Sequence, residues 1–316
     1  MQNHKHLHRL CVVVILLFAV SAEIPAQGDA FLQSEGTAEA WFSINWGSTR
    51  DYFNVDGQTR LFDSVKTTFT AFTLGLSADY KIIKNLEANV ELPIGYYTLT
   101  SESRFPDRSI FAPAWFGVGL TYGMPFGRFR TAVSSMVRIP PGFHNGIYDD
   151  PNHPTFLSDG YLQFLNILHF GYAGDEFWLK GSIGYNVRTE EPVDEIVYYG
   201  QAGISRVEGA GIFVGFGGVL ATEDASQPLR PFYAGADGTE SEKLRQDGGT
   251  GRFTTIDRED YIALQPGGFV QLNQHLTLSA QYQVKLFGVN TFRLNSFSVA
   301  AGWKFSSEMR EKRVEG

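Results

Sequence analysis

From residue 37 onward the chain alternates apolar residues with polar or small ones, segment after segment. Leu86, Ala88, Val90, Leu92, Ile94 and Tyr96 interleave with Glu87, Asn89, Glu91, Pro93 and Gly95. Leu276, Leu278, Ala280, Tyr282, Val284 and Leu286 do the same against Thr277, Ser279, Gln281, Gln283 and Lys285. Phe177 to Arg188 and Phe297 to Phe305 repeat the pattern. A period of two belongs to strands whose faces meet different surroundings. The spacing predicts twelve strands, at 37–48, 67–80, 86–98, 113–123, 129–139, 161–172, 177–188, 195–206, 211–222, 261–272, 276–287 and 295–305. The least regular are 129–139, where Ser134-Ser135 breaks the alternation, and 195–206. Pro93 and Pro266 each remove a ladder donor, so they are expected near strand ends or bulges.

The connections alternate too. Lys81–Asn85, Met124–Arg128, Ala173–Glu176, Val207–Ala210 and Asn273–His275 are short, and the intervening connections are longer. Strands of about 9–11 residues with tight turns at one end and long loops at the other are the pattern of a transmembrane barrel. In a bilayer every backbone N–H and C=O needs a partner, which a sheet supplies only by closing on itself. The expected fold is therefore all-β, a transmembrane antiparallel up-and-down barrel of about twelve strands. An even count puts both termini at the turn, or periplasmic, end. Tyr80, Tyr122 and Trp303 on the outward parity mark one membrane interface, and Trp46, Tyr96 and Tyr185 the other. Trp41, Trp115 and Trp178 have inward parity.

Composition agrees once strands are considered. A mean hydropathy of −0.14 excludes a polytopic helical membrane protein, but alternating strands average two faces and cancel. Hydrophobic residues at 43% exclude general disorder. A net charge of −8 without a basic stripe excludes nucleic acid as a partner. Residues 1–22 read as a secretory signal peptide, with Lys5 and Arg9, an apolar run from Leu10 to Val20 and a small-residue end at Ala22, or alternatively at Ala26. Residues 23–36 then form a short periplasmic segment, 37–305 the barrel and 306–316 a polar periplasmic tail. Loss of Lys5 and Arg9 takes the charge from −8 to −10, and loss of Cys11 leaves no cysteine. The location implied is the outer membrane.

The search for chemistry finds little. His144, Asp149, Asp150 and His153 share one loop and are the weak candidates for a metal, although they match no standard ligand spacing. His169 on a strand and His275 in a turn have no evident partner. There is no Gly-x-Ser-x-Gly elbow and no His–Ser pair on one strand face, so neither an enzyme nor a cofactor is expected. Gly215-Phe216-Gly217-Gly218 lies within a strand and marks curvature or close packing. The longest loop, Glu223–Asp260, holds nine acidic and five basic residues and reads as a mobile acidic surface or as a lid. Charges with inward parity include Glu87, Glu91, Lys180, Arg188, Lys285 and Lys304. These candidate lumen residues either pair to fill the lumen or set the field of a pore. Twelve strands leave a narrow lumen, between the eight-stranded barrel and the open porin.

Four stretches resemble the outer-membrane barrel family named for the meta-pathway of phenol degradation. They are Tyr80–Pro93, Gly117–Tyr122, Val137–Gly142 with its following loop, and Leu276–Tyr282. Where that family often has Gly-Asp entering the fourth strand, Ala114-Trp115 stands here. The resemblance implies a transport barrel. The expected function is an outer-membrane channel for passive uptake of small, hydrophobic or aromatic solutes. The alternative is a closed structural or surface-binding barrel carrying the 223–260 loop. Expected partners are outer-membrane lipids, the barrel-insertion machinery that reads the aromatic last strand, and the solute.

Overall fold

The computed structural model of the protein describes residues 36–53, 57–61, 68–100, 108–140, 162–189, 194–207, 209–222, 260–289 and 291–306. The first barrel strand is β1 (Thr37–Thr49), and two short strands follow it, β2 (Asp51–Phe53) and β3 (Thr59–Leu61). Next come β4 (Thr68–Ile83), β5 (Leu86–Thr100), β6 (Arg108–Pro113), β7 (Phe116–Phe126), β8 (Phe129–Ile139) and β9 (Gln163–Ala173). The remainder are β10 (Phe177–Arg188), β11 (Glu195–Val207), β12 (Ala210–Ala221), β13 (Asp260–Gln271), β14 (Leu276–Val289), β15 (Thr291–Phe292) and β16 (Asn295–Ser306).

All ladders of the main sheet are antiparallel between chain neighbours, and β1 closes the circle by pairing with β16. That seam runs from Thr37↔Ser306 to Ser48↔Asn295. Counting β6 and β7 as one interrupted stave gives twelve staves, so the closed antiparallel barrel has the strand number that the alternation predicts. Strands 129–139 and 177–188 fall on their predicted residues, including the stretch interrupted by Ser134-Ser135.

The fourth stave differs from the predicted 113–123. It runs from Arg108 to Phe126 with a break at Ala114-Trp115. Pro93 explains the break. β5 pairs with β7 as far as Glu91↔Gly117 and with β6 from Ile94↔Pro113, so the register slips by one residue opposite the proline. Ala114 N–H donates to the Pro93 carbonyl at 2.8 Å. This is a bulge where a ladder donor is missing, as expected. Pro266 corrects the companion expectation. It sits in the middle of β13, opposite Val214, on the outer surface, and the bulge of that strand lies at Ile262/Ala263 instead. Pairing with β14 stops at Leu264↔Val284 and resumes at Gly267↔Gln281, so the strand tolerates the proline by leaving a gap in one ladder.

The two faces are chemically opposite. Phe42, Leu76, Val90, Leu120, Val133, Leu168, Ile183, Val214, Leu264 and Trp303 are all exposed, as are many other large apolar side chains. So wide an apolar surface has no place in water. A bilayer matches it. Tyr80, Tyr122 and Trp303 crowd the turn end of this band, and Trp46, Tyr96 and Tyr185 the loop end.

Glycines let the large inward rings lie flat. A Cβ on Gly302 would sit 2.6 Å from the Trp41 ring, and one on Gly203 would strike Trp178. The Gly215–Gly218 run is likewise packed closely, with Tyr199 against Gly217 and the Tyr198 hydroxyl 2.6 Å from a Cβ on Gly218. Gly302→Val should destabilise the barrel by about 1–3 kcal/mol through overpacking. Heat-modifiable gel mobility of refolded protein reads the effect as a lower melting temperature, and an unchanged one would mean that Trp41 swings aside freely.

Candidate functional site: the barrel lumen

Inward side chains of β5 to β11 stack in layers. Nearest the loop end, Arg138 Nε donates to Glu91 Oε1 at 2.6 Å, and Trp115 Nε1 donates to the same oxygen at 2.6 Å. The guanidinium also lies 4.8 Å from the Trp115 ring centre. Further round the wall, Arg188 pairs with Glu195 at 3.1 Å, and Asn186 Nδ2 bridges Glu195 Oε2 and Gln163 Oε1. Below this belt lies an apolar layer of Met136, Leu165 and Ile167, packed with Val197.

A second polar belt lies toward the turn end. Asn89 Nδ2 donates to Asp79 Oδ1 at 2.7 Å and to Glu87 Oε1 at 3.3 Å. Thr121 donates to Asn89 Oδ1 at 2.7 Å and lies 2.9 Å from the Ser134 hydroxyl. Ser134 Oγ then meets His169 Nε2 at 2.7 Å. The chain of contacts crosses five adjacent staves, from β4 to β9. Buried polar groups need such partners, since an unmet one costs about 1–3 kcal/mol.

The sequence expectation that the two histidines lack partners is therefore corrected. His169 meets Ser134 on the neighbouring strand, and His275 lies 3.1 Å from the Lys304 carbonyl beside the Trp303 ring. Both contacts depend on strand register, which spacing along one strand does not reveal. The Ser134–His169 pair is buried within the wall, and Thr121 holds the hydroxyl from its other side. That arrangement satisfies buried groups and presents no accessible nucleophile.

The opposite wall, β12 to β16 with β1, is uncharged between its ends. Trp41, Phe213, Phe269, Gln265, Gln281 and Gln283 have inward parity there, and Gln265 donates to Gln283 at 3.1 Å. Lys285, at the loop end, donates to Thr291 at 2.7 Å and lies 4.0 Å from the Tyr261 ring. The turn end is charged on both walls. Lys304, Glu87 and Lys180 all act electrostatically on Glu39. β1 and β10, which carry Glu39 and Lys180, are six staves apart around the circle.

The structure thus buries Glu87, Glu91, Arg188 and Lys285 on the inner face and leaves Lys180 and Lys304 half-buried. Glu39, Asp79, Arg138 and Glu195 are charges that the sequence list omits, although the same inward parity could have found them. The loop end carries one more feature. β2, β3 and β15 form a separate small sheet, and Arg293 reaches Asp51 at 3.6 Å. Beside it Phe69 stacks on Phe292 at 4.5 Å, packed with Tyr97, Tyr52 and Leu294. The weak metal candidates His144, Asp149, Asp150 and His153, and residues 223–259 of the long acidic loop, lie outside the described residues.

The barrel superposes on an outer membrane channel from Pseudomonas putida F1 with a TM-score of 0.61 at 12% identity, over 88% of this chain and 98% of that one. The NanC porin matches with a TM-score of 0.44 at 8% identity, over 84% and 99% of the two chains. The translocator domain of the autotransporter NalP from Neisseria meningitidis matches at 0.41 and 12% identity, over 86% and 90%. At such identities the likeness to the first is one of fold. No protein-family model matches the chain, and no curated protein sequence does.

Proposed function

We propose that the protein is an outer-membrane channel for passive movement of small solutes, hydrophobic or aromatic ones among them. The observation that carries this reading is a closed barrel with an apolar outside and a lumen of charged, amide and aromatic side chains. The resemblance to the phenol meta-pathway family and the shared fold with the Pseudomonas putida channel support it. Residues 1–22 act as the export signal, 23–36 and 306–316 lie in the periplasm, and the aromatic Trp303-Lys304-Phe305 end is offered to the insertion machinery. The protein is not an enzyme and needs no cofactor.

The selective zone lies at the turn end, where Lys180 faces Glu39 and Glu87 from the far wall. The middle of the opposing wall, with its flat rings and glutamine amides, suits an aromatic solute carrying one polar group. Planar-bilayer recording tests the reading. Steps of conductance, blocked reversibly by a small phenol, are the expected result, and a folded barrel that passes neither ions nor phenol would exclude a channel. The second reading, a closed structural barrel, draws on the Met136–Leu165–Ile167 layer and the small sheet at the mouth. It predicts silence in the same experiment.

A further inference from the structure

The outer surface of the barrel is apolar away from the strand ends, with one interruption. On β8 the outward positions are Phe129, Thr131, Val133, Ser135, Val137 and Ile139, and on β9 they are Phe164, Asn166, Leu168, Phe170 and Tyr172. Ser135 and Asn166 face each other in register, both exposed, and Ser135 Oγ donates to Asn166 Oδ1 at 2.9 Å. Among the described residues Asn166 is the one carboxamide at an outward position in the middle of a strand, and no charged residue shares that band. Leu120 flanks Ser135 on β7 and Tyr185 flanks Asn166 on β10.

The pair is only half satisfied. Asn166 Oδ1 accepts from Ser135, whereas its Nδ2 has no partner among the described residues. Tyr185, the nearest outward hydroxyl in register, donates to Asp194 Oδ2 at 2.8 Å. A primary amide with two unmet donors, held level with the middle of the wall, is costly against hydrocarbon, which offers no acceptor. Water does not reach that depth on the outside, and a soluble partner does not either.

We propose that the β8–β9 face is an interface with a second copy of this chain. A carboxamide is self-complementary, because it carries a donor and an acceptor side by side. Around a two-fold axis the Nδ2 of one Asn166 meets the Oδ1 of the other, and a two-fold contact is the commonest closed assembly. Lipid chains lack that acceptor. The neighbouring wall suits close packing, because Phe170 lies over Gly181 and Phe216 lies over Gly200, so aromatic rings fill the glycine gaps and level the surface.

The inference rests on the bilayer-spanning reading of the barrel and not on its conductance. The purified chain, without its signal, is reconstituted into phosphatidylcholine vesicles, and flotation establishes insertion. Thiol cross-linking of Leu168→Cys, which keeps Asn166 and lies beside it on the same outer face, is compared with Val299→Cys on β16, six staves away around the barrel. Light scattering of detergent-solubilised wild type and Asn166→Leu measures the mass. The expected result is a doubled mass for wild type, a cross-linked dimer at position 168 well above that at 299, and loss of the dimer in Asn166→Leu. An inserted barrel that is monomeric, or that cross-links equally at both positions, overturns the interface. Wild type that does not float with the vesicles overturns the bilayer reading itself. The cross-link stands as an independent readout if Asn166→Leu folds poorly.

Discussion

Glu91→Ala should lower the unfolding free energy by about 3–5 kcal/mol, the usual consequence of stranding one member of a buried ion pair. Arg138 and Glu91 are 12% and 8% exposed at their side chains, and the 2.6 Å contact is the guanidinium's ion pair. Removing the carboxylate leaves Arg138 charged inside the wall and takes away the acceptor of Trp115. The double variant Glu91→Ala with Arg138→Met should recover most of the loss, because no charge is then stranded. Equilibrium urea unfolding in phospholipid vesicles, followed by far-UV circular dichroism, measures both. A loss below about 1 kcal/mol for the single variant would mean that lumen water solvates Arg138.

On the proposed channel reading, Lys180→Glu should turn the selectivity toward cations. The substitution changes the local charge by two units, which an ion about 10 Å away in water feels as about 0.8 kcal/mol. That corresponds to a roughly fourfold change in local ion concentration, and more where the lumen is drier than bulk water. The reversal potential across a bilayer under a potassium chloride gradient reads this directly. Lys180 shares its end of the lumen with Glu39, Glu87 and Lys304, so the new carboxylate meets two others and its effect is compounded. A reversal potential unmoved by the substitution would take Lys180 out of the ion path.

The barrel was legible because lipid and lumen impose different chemistry on alternate residues. Even the weakest segment turns out to carry the pattern. Ser134-Ser135 interrupts the hydropathy of β8, yet Ser134 faces inward to His169 while Ser135 faces outward to Asn166. Two identical residues thus obey the alternation by direction, and hydropathy is blind to it. Contacts between staves were not legible. Glu91 and Arg138 are 47 residues apart, and Ser134 and His169 are 35 apart. Their meeting depends on the register that each turn and bulge sets. The small sheet at the mouth escaped too, because β2, β3 and β15 span only two or three residues each and show no period. Ala114-Trp115, the departure from the resembled family's pattern, falls at the break between β6 and β7, where the indole takes part in the Glu91–Arg138 contact.

The seam between β1 and β16 sets the order of events when the chain folds. Thr37 pairs with Ser306, so the first stave waits for the last, with almost the whole barrel sequence between them. Until that final stave arrives, the growing sheet carries two raw edges, each a template for the wrong neighbour. Contacts of such separation make folding slow. A barrel closed by its two terminal staves is complete only once the whole sheet is assembled. Truncation before Asn295 is expected to leave β1 and β14 as open edges, an aggregation-prone sheet in place of a closed barrel.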